Sequence, residues 1–382
     1  MLNRERMLNH LLDLVQIDSE TREERDVAEN LKSAAEELGG DAHFDDAGDK
    51  IGGNAGNLFV RFAATNPSAT PLFLCAHMDT VTPGRGVRPR VEGNRVVTDG
   101  TTVLGGDDKS GCAMIIEVVR TIKEKQVAHG DLEICFSIGE ENGLLGAKLF
   151  DTSGLKSKYG IVLDSDDPRM ACTRAPAADR MEWMIHGKES HAGVEPEKGI
   201  SAIRIAAAAI GKMTFGRIDA QTTANIGGIE GGKATNIVTN RVRVIGEARS
   251  LDPDKLARQT RHMSHCFHSA VDATPALMIN GVTFKARLEE KIERDYESMD
   301  VPDDSPIVRL LIRAAKSRGI DLRTGEMGGG CDANAFNQKG LECVNLGTGM
   351  RAIHTVQEWL DIPEFYESAD LLLDAIQING SR

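Results

Sequence analysis

The sequence lacks several features that would assign it to a specialised class of protein. It contains no run of about 18 consecutive apolar residues, the length that a membrane-spanning helix requires. The N-terminal stretch Met-Leu-Asn-Arg-Glu-Arg leads into a mixed-charge segment that lacks the apolar core of a signal peptide. No internal repeat or low-complexity tract is present. We therefore expect a globular protein without membrane partners.

Paired cysteines and a surplus of positive charge are also missing. The seven cysteines are scattered without a C-x-x-C pair, which predicts neither a disulfide framework nor a zinc ribbon and fits the reducing cytoplasm. The 58 acidic residues outnumber the 45 Lys and Arg, giving a net charge of -13. This balance argues against a nucleic-acid partner, because phosphates require basic patches. It does not say what the acidic residues do.

The length and the order of predicted elements indicate two domains. The chain has 382 residues, more than the roughly 250–300 that one core usually serves. Strands alternate with helices up to residue 175 and again from 295, which predicts an α/β domain with a mixed, mostly parallel sheet flanked by helices. Residues 176–294 have an α+β pattern large enough for a core of its own. We expect this unit to be inserted into the α/β domain formed by residues 1–175 and 295–382.

Two helices are predicted in the first forty residues. An apolar stripe that includes Leu11 and Val15 has the spacing of the first helix. Thr21 and Glu24 form a capping-box pattern before the second. We therefore expect Thr21 to cap that helix.

The strongest local motif is His77-Met78-Asp79-Thr80, which directly follows an apolar strand. Open α/β sheets place their sites at the carboxyl ends of strands. In an extended H-x-D motif both side chains project to the same side, so the carboxylate can orient the imidazole and leave its other nitrogen free for a metal. A strand-end histidine beside a turn aspartate is an equally good interpretation of this motif alone.

A glycine-rich turn precedes Asp107-Asp108-Lys109 at the start of a predicted helix. It looks like a phosphate loop, but Asp108 stands where the Walker pattern requires glycine, and two carboxylates would repel phosphate. We therefore exclude anion binding by this turn. A carboxylate that bridges two metal ions and a solvated helix cap remain as alternatives.

Further carboxylates and a second histidine follow other predicted strands or loops. Adjacent glutamates such as Glu140 and Glu141 can divide their roles, one as a metal ligand and one as a proton acceptor, although on a surface they would form an ordinary charged turn. Asp164 ends another strand, and His354 lies far downstream. Oxygen and imidazole ligands without cysteine favour catalytic zinc, cobalt or manganese over structural zinc.

Together these motifs resemble the cocatalytic dinuclear zinc peptidases, which include peptidase T, carboxypeptidase G, aminoacylase and succinyl-diaminopimelate desuccinylase. The chain is most similar to peptidase T and its relatives, because it also contains Gly330-Cys331-Asp332-Ala333-Asn334 and Asn345-Leu346-Gly347-Thr348-Gly349. The resemblance covers nearly the whole chain. It implies that the inserted unit is a lid or dimerisation domain.

The resemblance implies a role for each matched residue. The implied ligands of two divalent ions, zinc or else cobalt or manganese, are a bridging Asp107, with His77 and Asp164 at one ion and Glu141 and His354 at the other. Glu140 would be the general base and Asp79 would orient His77. A cis peptide is implied between Asp107 and Asp108.

Three residues of the inserted unit match substrate-binding positions less securely. His191 matches a lid histidine that polarises the substrate carbonyl, often from a partner subunit, although a lone histidine is more often structural. Asn236 and Arg249 resemble residues that hold a substrate backbone or carboxylate, for which the guanidinium fork is suited. Arg249 is equally compatible with a salt bridge. The resemblance also implies a homodimer formed through this unit.

The implied function is metal-assisted hydrolysis of an amide bond. An aminopeptidase that releases the N-terminal residue of small peptides, such as tripeptides, fits best. An N-acyl amino acid deacylase, a dipeptidase and a carboxypeptidase share the same chemistry and remain alternatives. A non-catalytic metal- or peptide-binding protein is a different class, but such a protein should have lost Glu140 or a ligand, and all are present.

Overall fold

A computed structural model describes residues 2–381 of the chain. The residues before Pro176 and after Ser298 form one compact unit, and Pro176–Ser298 forms a second. The second unit ends at Ser298 rather than at residue 294, because its last strand continues to Tyr296. None of the described helices combines the length and the apolar character needed to cross a membrane.

Ten α-helices lie within residues 2–381, and the sixth and seventh belong to the second unit. They are α1 Arg4–Val15, α2 Arg25–Glu37, α3 Ala47–Ile51, α4 Gly106–Glu124, α5 Leu145–Leu149, α6 Ala202–Ile210, α7 Pro253–Asp272, α8 Pro306–Ser317, α9 Asp332–Gln338 and α10 Ile362–Gly380.

Strands from both arms of the chain build the first unit. They are β1 Asp41–Phe44, β2 Leu58–Phe62, β3 Leu72–His77, β4 Arg90–Glu92, β5 Arg95–Val97, β6 Leu132–Ser137, β7 Tyr159–Ser165 and β8 Met170–Ala175. The second unit adds β9 Ala177–His186, β10 Ser190–His191, β11 Gly216–Arg217, β12 Thr222–Gly231, β13 Ile237–Val238, β14 Arg241–Ser250, β15 Leu277–Ile279, β16 Val282–Phe284 and β17 Arg287–Tyr296. The chain then returns to the first unit with β18 Met299–Asp300, β19 Arg323–Glu326, β20 Glu342–Gly347, β21 Met350–Arg351 and β22 Trp359–Asp361.

A nine-stranded mixed sheet forms the centre of the first unit. Its order is β1-β2-β6-β3-β7-β20-β8-β18, with β19 paired to β8. The four central strands β6, β3, β7 and β20 are parallel to one another. On the outer sides, β2 pairs antiparallel with β6, and β8 pairs antiparallel with β20. The predicted α/β class with a mixed sheet and an inserted α+β unit is confirmed.

The central strands are buried along their whole length. Every residue of β3 and of β6 is buried, which is why both are mainly apolar rather than alternating in pattern, with Glu133 of β6 as a buried exception. Helix α4 packs on β3, and α9 packs on β20. The sheet is therefore a rigid frame whose strand ends have fixed positions.

A small four-stranded sheet lies beside this frame. Its order is β21-β22-β5-β4, and β21 and β22 form an antiparallel hairpin. The guanidinium of Arg95 lies 3.8 Å from the centre of the Trp359 ring, a cation–π contact that joins β5 to β22. The hairpin loop, residues 352–358, carries His354.

The second unit is built on a five-stranded antiparallel sheet of order β11-β12-β14-β9-β17. Helices α6 and α7 pack on it. Its core includes the stacked rings of Trp183 and Phe267, whose centres are 4.3 Å apart. This unit thus has a hydrophobic core of its own.

Thr21 does not cap α2, so the predicted capping box is wrong. The helix begins at Arg25 with Glu24 at the N-cap position. The Thr21 hydroxyl instead donates to Asp79 Oδ2 at 2.7 Å. A hydrogen bond to a charged carboxylate is stronger than one to a backbone amide, and a distant partner of this kind cannot be seen in local sequence.

Replacing Lys339 by methionine should destabilise the first unit. Its Nζ donates to the carbonyl oxygens of Ala147, Lys148 and Phe150 at 2.6–2.8 Å, at the end of α5. Methionine keeps the apolar stem but leaves these acceptors without their donor, which we expect to cost about 1–3 kcal/mol of unfolding free energy. Urea unfolding measures this loss. Lys316→Met, on the exposed surface of α8, is the control, and equal stability of both variants would contradict the assignment.

Candidate metal centre

Three neighbouring parallel strands bring acidic and imidazole side chains to one edge of the central sheet. His77 is the last residue of β3, and Asp164 lies near the end of β7. Glu140 and Glu141 follow β6, which pairs with β3 so that Ser137 lies opposite His77. Because parallel strands end at the same edge, residues far apart in sequence become neighbours.

Asp107 and His354 reach the same place from loops. Gly105 precedes α4 with a φ of 70°, and the peptide bond between Asp107 and Asp108 is cis, as the family resemblance implies. His354 lies in the β21–β22 loop with a φ of 61°.

The described residues form two groups that share Asp107. In the first, His77 Nε2 lies 3.2 Å from Asp107 Oδ1 and 3.9 Å from Asp164 Oδ1. In the second, His354 Nε2 lies 3.1 Å from Asp107 Oδ2 and 2.9 Å from Glu141 Oε2. Asp107 therefore offers one carboxylate oxygen to each group, and within each group the ligand atoms lie within 4.8 Å of one another.

The donor set fits divalent metal ions. Each group combines imidazole nitrogen with carboxylate oxygen and contains no thiolate, as catalytic zinc and similar ions prefer. The Oε1 atom of Glu141 is buried and has no hydrogen-bond partner among the described residues. A third possible group, His77 with Glu140 and Glu141, overlaps the others. The cluster thus has more acceptor oxygens than protein donors.

The shifts in pKa reflect this crowding of negative charge. Burial and the nearby carboxylates of Asp107 and Glu140 raise the pKa of Asp164 well above its usual range. Burial favours the neutral form of His77, but hydrogen bonds to Asp107 and Asp79 outweigh it and raise the pKa of that imidazole. Hydrogen bonds to Asp107 and Glu141 raise the pKa of His354 to about 10. The cluster therefore carries an excess of negative charge, which bound cations would balance.

Asp79 links His77 to the glutamate loop. The Nδ1 atom of His77 lies 3.0 Å from the backbone oxygen of Asp79 and 3.4 Å from its Oδ1. The same carboxylate accepts hydrogen bonds from the backbone of Glu140 at 2.9 Å and from Thr21. This geometry leaves the Nε2 of His77 facing Asp107.

Glu140 is buried beside the two groups. Burial, followed by the charges of Asp332, Glu141 and Asp79, raises the pKa of Glu140 well above its usual range. A carboxylate with a raised pKa accepts a proton more readily than an exposed one.

Asn345 supports Asp164, a contact that the sequence analysis missed. Its Oδ1 accepts from the backbone nitrogen of Asp164 at 2.8 Å, and its Nδ2 donates to the Asp164 carbonyl at 2.5 Å. Asn345 belongs to the stretch that resembles peptidase T, which was the available signal. Its partner could be identified only from the pairing of β20 with β7.

The backbone nitrogens of the glycine-rich turn bind a carboxyl group of the chain itself, a partner that local sequence did not reveal. The backbone nitrogens of Leu104, Gly105 and Asp107 donate to the carboxylate of Glu358 at 2.7–3.0 Å. This carboxyl group belongs to Glu358, which lies 251 residues beyond Asp107 in the chain. No local pattern identifies such a partner.

The three predicted substrate-binding residues lie in the second unit. His191 is exposed, and its backbone pairs with that of Ile237. The nitrogen of Ala192 donates to the carbonyl of Asn236 at 2.9 Å, so His191 and Asn236 are close neighbours. Arg249 lies in β14, where its Nη2 donates to Glu247. Its buried Nε has no partner among the described residues.

Comparison with known proteins identifies the family. Residues 73–378 match the family described as peptidase family M20/M25/M40. The chain belongs to this peptidase family. The resemblance seen in the sequence is thereby confirmed, and the chain is an M20 metallopeptidase.

Full-length relatives agree with this assignment. An uncharacterised protein of Bacillus subtilis, YqjE, is 42% identical over 99% of both chains. The crystal structure of the aminopeptidase PepT from Bacillus cereus is 38% identical with a TM-score of 0.86, and both chains are covered completely. A Staphylococcus aureus tripeptidase is 36% identical with a TM-score of 0.91, again over the full length of both chains.

Removing metal should make the stability of this M20 peptidase more sensitive to pH. Burial and Asp79 raise the pKa of Glu24 from 4.5 to about 7, and burial and Asp107 do the same for Glu358. Between pH 4.5 and 7 the unfolded chain loses these protons while the folded protein keeps them, so stability falls by up to about 3 kcal/mol per group. Bound cations oppose this effect.

Thermal unfolding from pH 5 to 8 measures the difference. The melting temperature of chelator-treated protein should fall further below that of metal-loaded protein as pH rises. Treated protein reloaded with Zn²⁺ is the control. Parallel pH profiles of the two forms would contradict the prediction.

Proposed function

We propose that this M20 peptidase is a dinuclear metal aminopeptidase that releases the N-terminal residue of tripeptides. The observation that carries the proposal is the sharing of Asp107, which offers one oxygen to the His77 group and the other to the His354 group. A carboxylate in this position is suited to bridge two cations. The full-length similarity to an aminopeptidase and to a tripeptidase supports the substrate class.

The residues that hold the two ions are those of the two groups. His77 and Asp164 would hold one ion, Glu141 and His354 would hold the other, and Asp107 would contribute an oxygen to each. Zinc fits this donor set best, and cobalt and manganese are compatible with it. Divalent ions held there would supply Lewis-acid chemistry, namely polarisation of the scissile carbonyl and a lower pKa for a bound water molecule.

Glu140 is the general base in the proposed reaction. Its carboxylate accepts a proton from the attacking water and then passes it to the nitrogen of the leaving amine. Its raised pKa favours this role, because a more basic carboxylate accepts a proton more readily. Such proton transfer contributes about 10²–10⁴-fold, or roughly 3–5 kcal/mol. Asp79 positions the base by binding its backbone nitrogen, and orients His77.

The second unit supplies the substrate contacts. The exposed imidazole of His191 stabilises negative charge on the carbonyl oxygen, and Asn236, beside it, binds the peptide backbone. Arg249 binds the peptide carboxylate. Its buried Nε without a partner supports this role, because a guanidinium can hold a carboxylate with two parallel hydrogen bonds.

We infer that the protein acts in the cytoplasm as a homodimer formed through the second unit. All seven cysteines are unpaired and buried, which suits a reducing compartment. The dimer follows from the family resemblance. It would allow His191 of one protomer to serve the site of its partner.

Hydrolysis assays test the substrate class directly. Metal-loaded protein should cleave tripeptides that have a free amino group and release the N-terminal residue. The same tripeptides with an acetylated amino group should be cleaved at least tenfold more slowly. Mass spectrometry of the products identifies the cleaved bond.

A Glu140→Gln variant is the matched control for this assay. It removes the proton acceptor but keeps the shape of the side chain, so turnover should fall by about 10²–10⁴-fold while metal content stays unchanged.

In the assay of the wild-type protein, preferred cleavage of acetylated substrates would favour a deacylase, and release of the C-terminal residue would favour a carboxypeptidase. Cleavage of dipeptides alone would favour a dipeptidase. Each of these results would replace the tripeptidase proposal.

A mixing experiment tests the dimer and the action of His191 across it. His191→Ala and Glu140→Gln should each be nearly inactive. If His191 serves the partner's site, co-expression of the two variants should restore activity, because one site of each mixed dimer is complete. Light scattering should give the mass of a dimer. A monomeric mass, or no recovery in mixed dimers, would count against action in trans.

A further inference from the structure

Glu358 is a buried carboxylate at the end of an otherwise accessible loop. Of the seven residues 352–358, only Glu358 is buried, with 2% of its surface exposed. Its backbone nitrogen donates to the carbonyl of Thr355 at 3.0 Å, which closes the turn that directly follows His354. The next residue, Trp359, begins β22. Glu358 therefore joins the His354 loop to a fixed strand.

The carboxylate reaches from this loop to the turn before Asp107. Its Oε2 accepts from Leu104 at 2.7 Å and from Gly105 at 2.9 Å, and its Oε1 accepts from Asp107 at 3.0 Å. A Cβ atom on Gly106 would lie 3.2 Å from Oε1, so this position favours glycine because the carboxylate comes so close. Three amides thus surround one carboxyl group and fix its position.

The two histidines of the metal centre are supported very differently. The Nδ1 of His77 is held by Asp79, which is itself held by Thr21 and by the Glu140 backbone. In contrast, among residues 2–381 the His354 ring has polar contacts only to Asp107 and Glu141, its neighbours in the proposed metal site. His354 is also half exposed. Its position therefore depends on its loop.

We propose that Glu358 is a positioning residue that fixes His354 relative to Asp107 and so determines how tightly the ion between Glu141 and His354 binds. This inference deepens the proposed function and rests on it. Glu358 ties the loop of His354 to the turn before Asp107, whose Oδ2 belongs to the same group as His354, whereas His77 has the separate support of Asp79. The ion between His77 and Asp164 should therefore depend much less on Glu358.

Calorimetric titration of Zn²⁺ into the metal-free full-length protein tests the proposal. The wild type should bind two ions. In Glu358→Gln one ion should bind as in the wild type and the other about 10–100-fold more weakly, the usual effect of losing an outer support of a metal ligand. The profile should match that of His354→Ala, which lacks a ligand of the same ion, and differ from that of His77→Ala.

Glu133→Gln is the matched control. Glu133 is also a fully buried carboxylate, and it accepts backbone hydrogen bonds from Lys156 and Ser157. It lies near the start of β6, whereas Glu140 and Glu141 follow the end of that strand. The same substitution there should leave both zinc affinities unchanged. Glu358→Asp keeps the carboxyl group but shortens the side chain, so it should weaken binding of the same ion by less. This variant provides a test if Glu358→Gln does not fold.

The outcomes separate the two hypotheses. A wild type that binds fewer than two ions contradicts the proposed dinuclear function itself. A wild type with two ions, together with Glu358→Gln and Glu358→Asp that bind both ions with wild-type affinity, overturns only the role of Glu358. Equal weakening of both ions, or the same weakening in Glu133→Gln, also overturns it, because it would reflect general destabilisation.

Discussion

The crowding of carboxylates at one edge of the central sheet is the constraint on which this structure depends. Asp107, Glu140, Glu141 and Asp164 converge there with the imidazoles of His77 and His354. Buried carboxylates repel one another and are costly to ionise unless positive charge compensates them. Burial and this excess of negative charge raise the pKa of Asp164, and the excess also raises the pKa of His354. Two divalent cations would relieve it, and the donor geometry divides naturally into two groups.

The rest of the first unit holds this unfavourable arrangement in place. Residues 17–24 form hydrogen bonds to three ligand-bearing segments: Thr21 binds Asp79, Glu24 accepts from the nitrogen of Gly139, and the carbonyl of Ile17 accepts from Lys109 Nζ. These contacts are made by a segment between α1 and α2 that carries no ligand itself. Precise metal sites need such outer support, because ligands without it adopt several positions.

Sequence reasoning reached the residues that the structure brings together at the candidate site, but not the residues that support them. His77, Glu140 and Asp164 could be recognised because each follows or ends an apolar strand, and parallel strands end at the same edge. Thr21 and Glu358 could not be recognised, because each acts on a residue far away in the chain. Local pattern even misled at Thr21, where the capping box gave a wrong expectation. Non-local hydrogen bonds depend on tertiary packing, which the sequence alone does not display.

The most direct test of the dinuclear site is a crystal structure of the zinc-loaded protein measured on both sides of the zinc absorption edge. Two anomalous peaks are predicted for each chain, one between His77 and Asp164 and one between Glu141 and His354. The carboxylate of Asp107 should lie between them. A single peak, or none at these positions in active protein, would contradict the central claim.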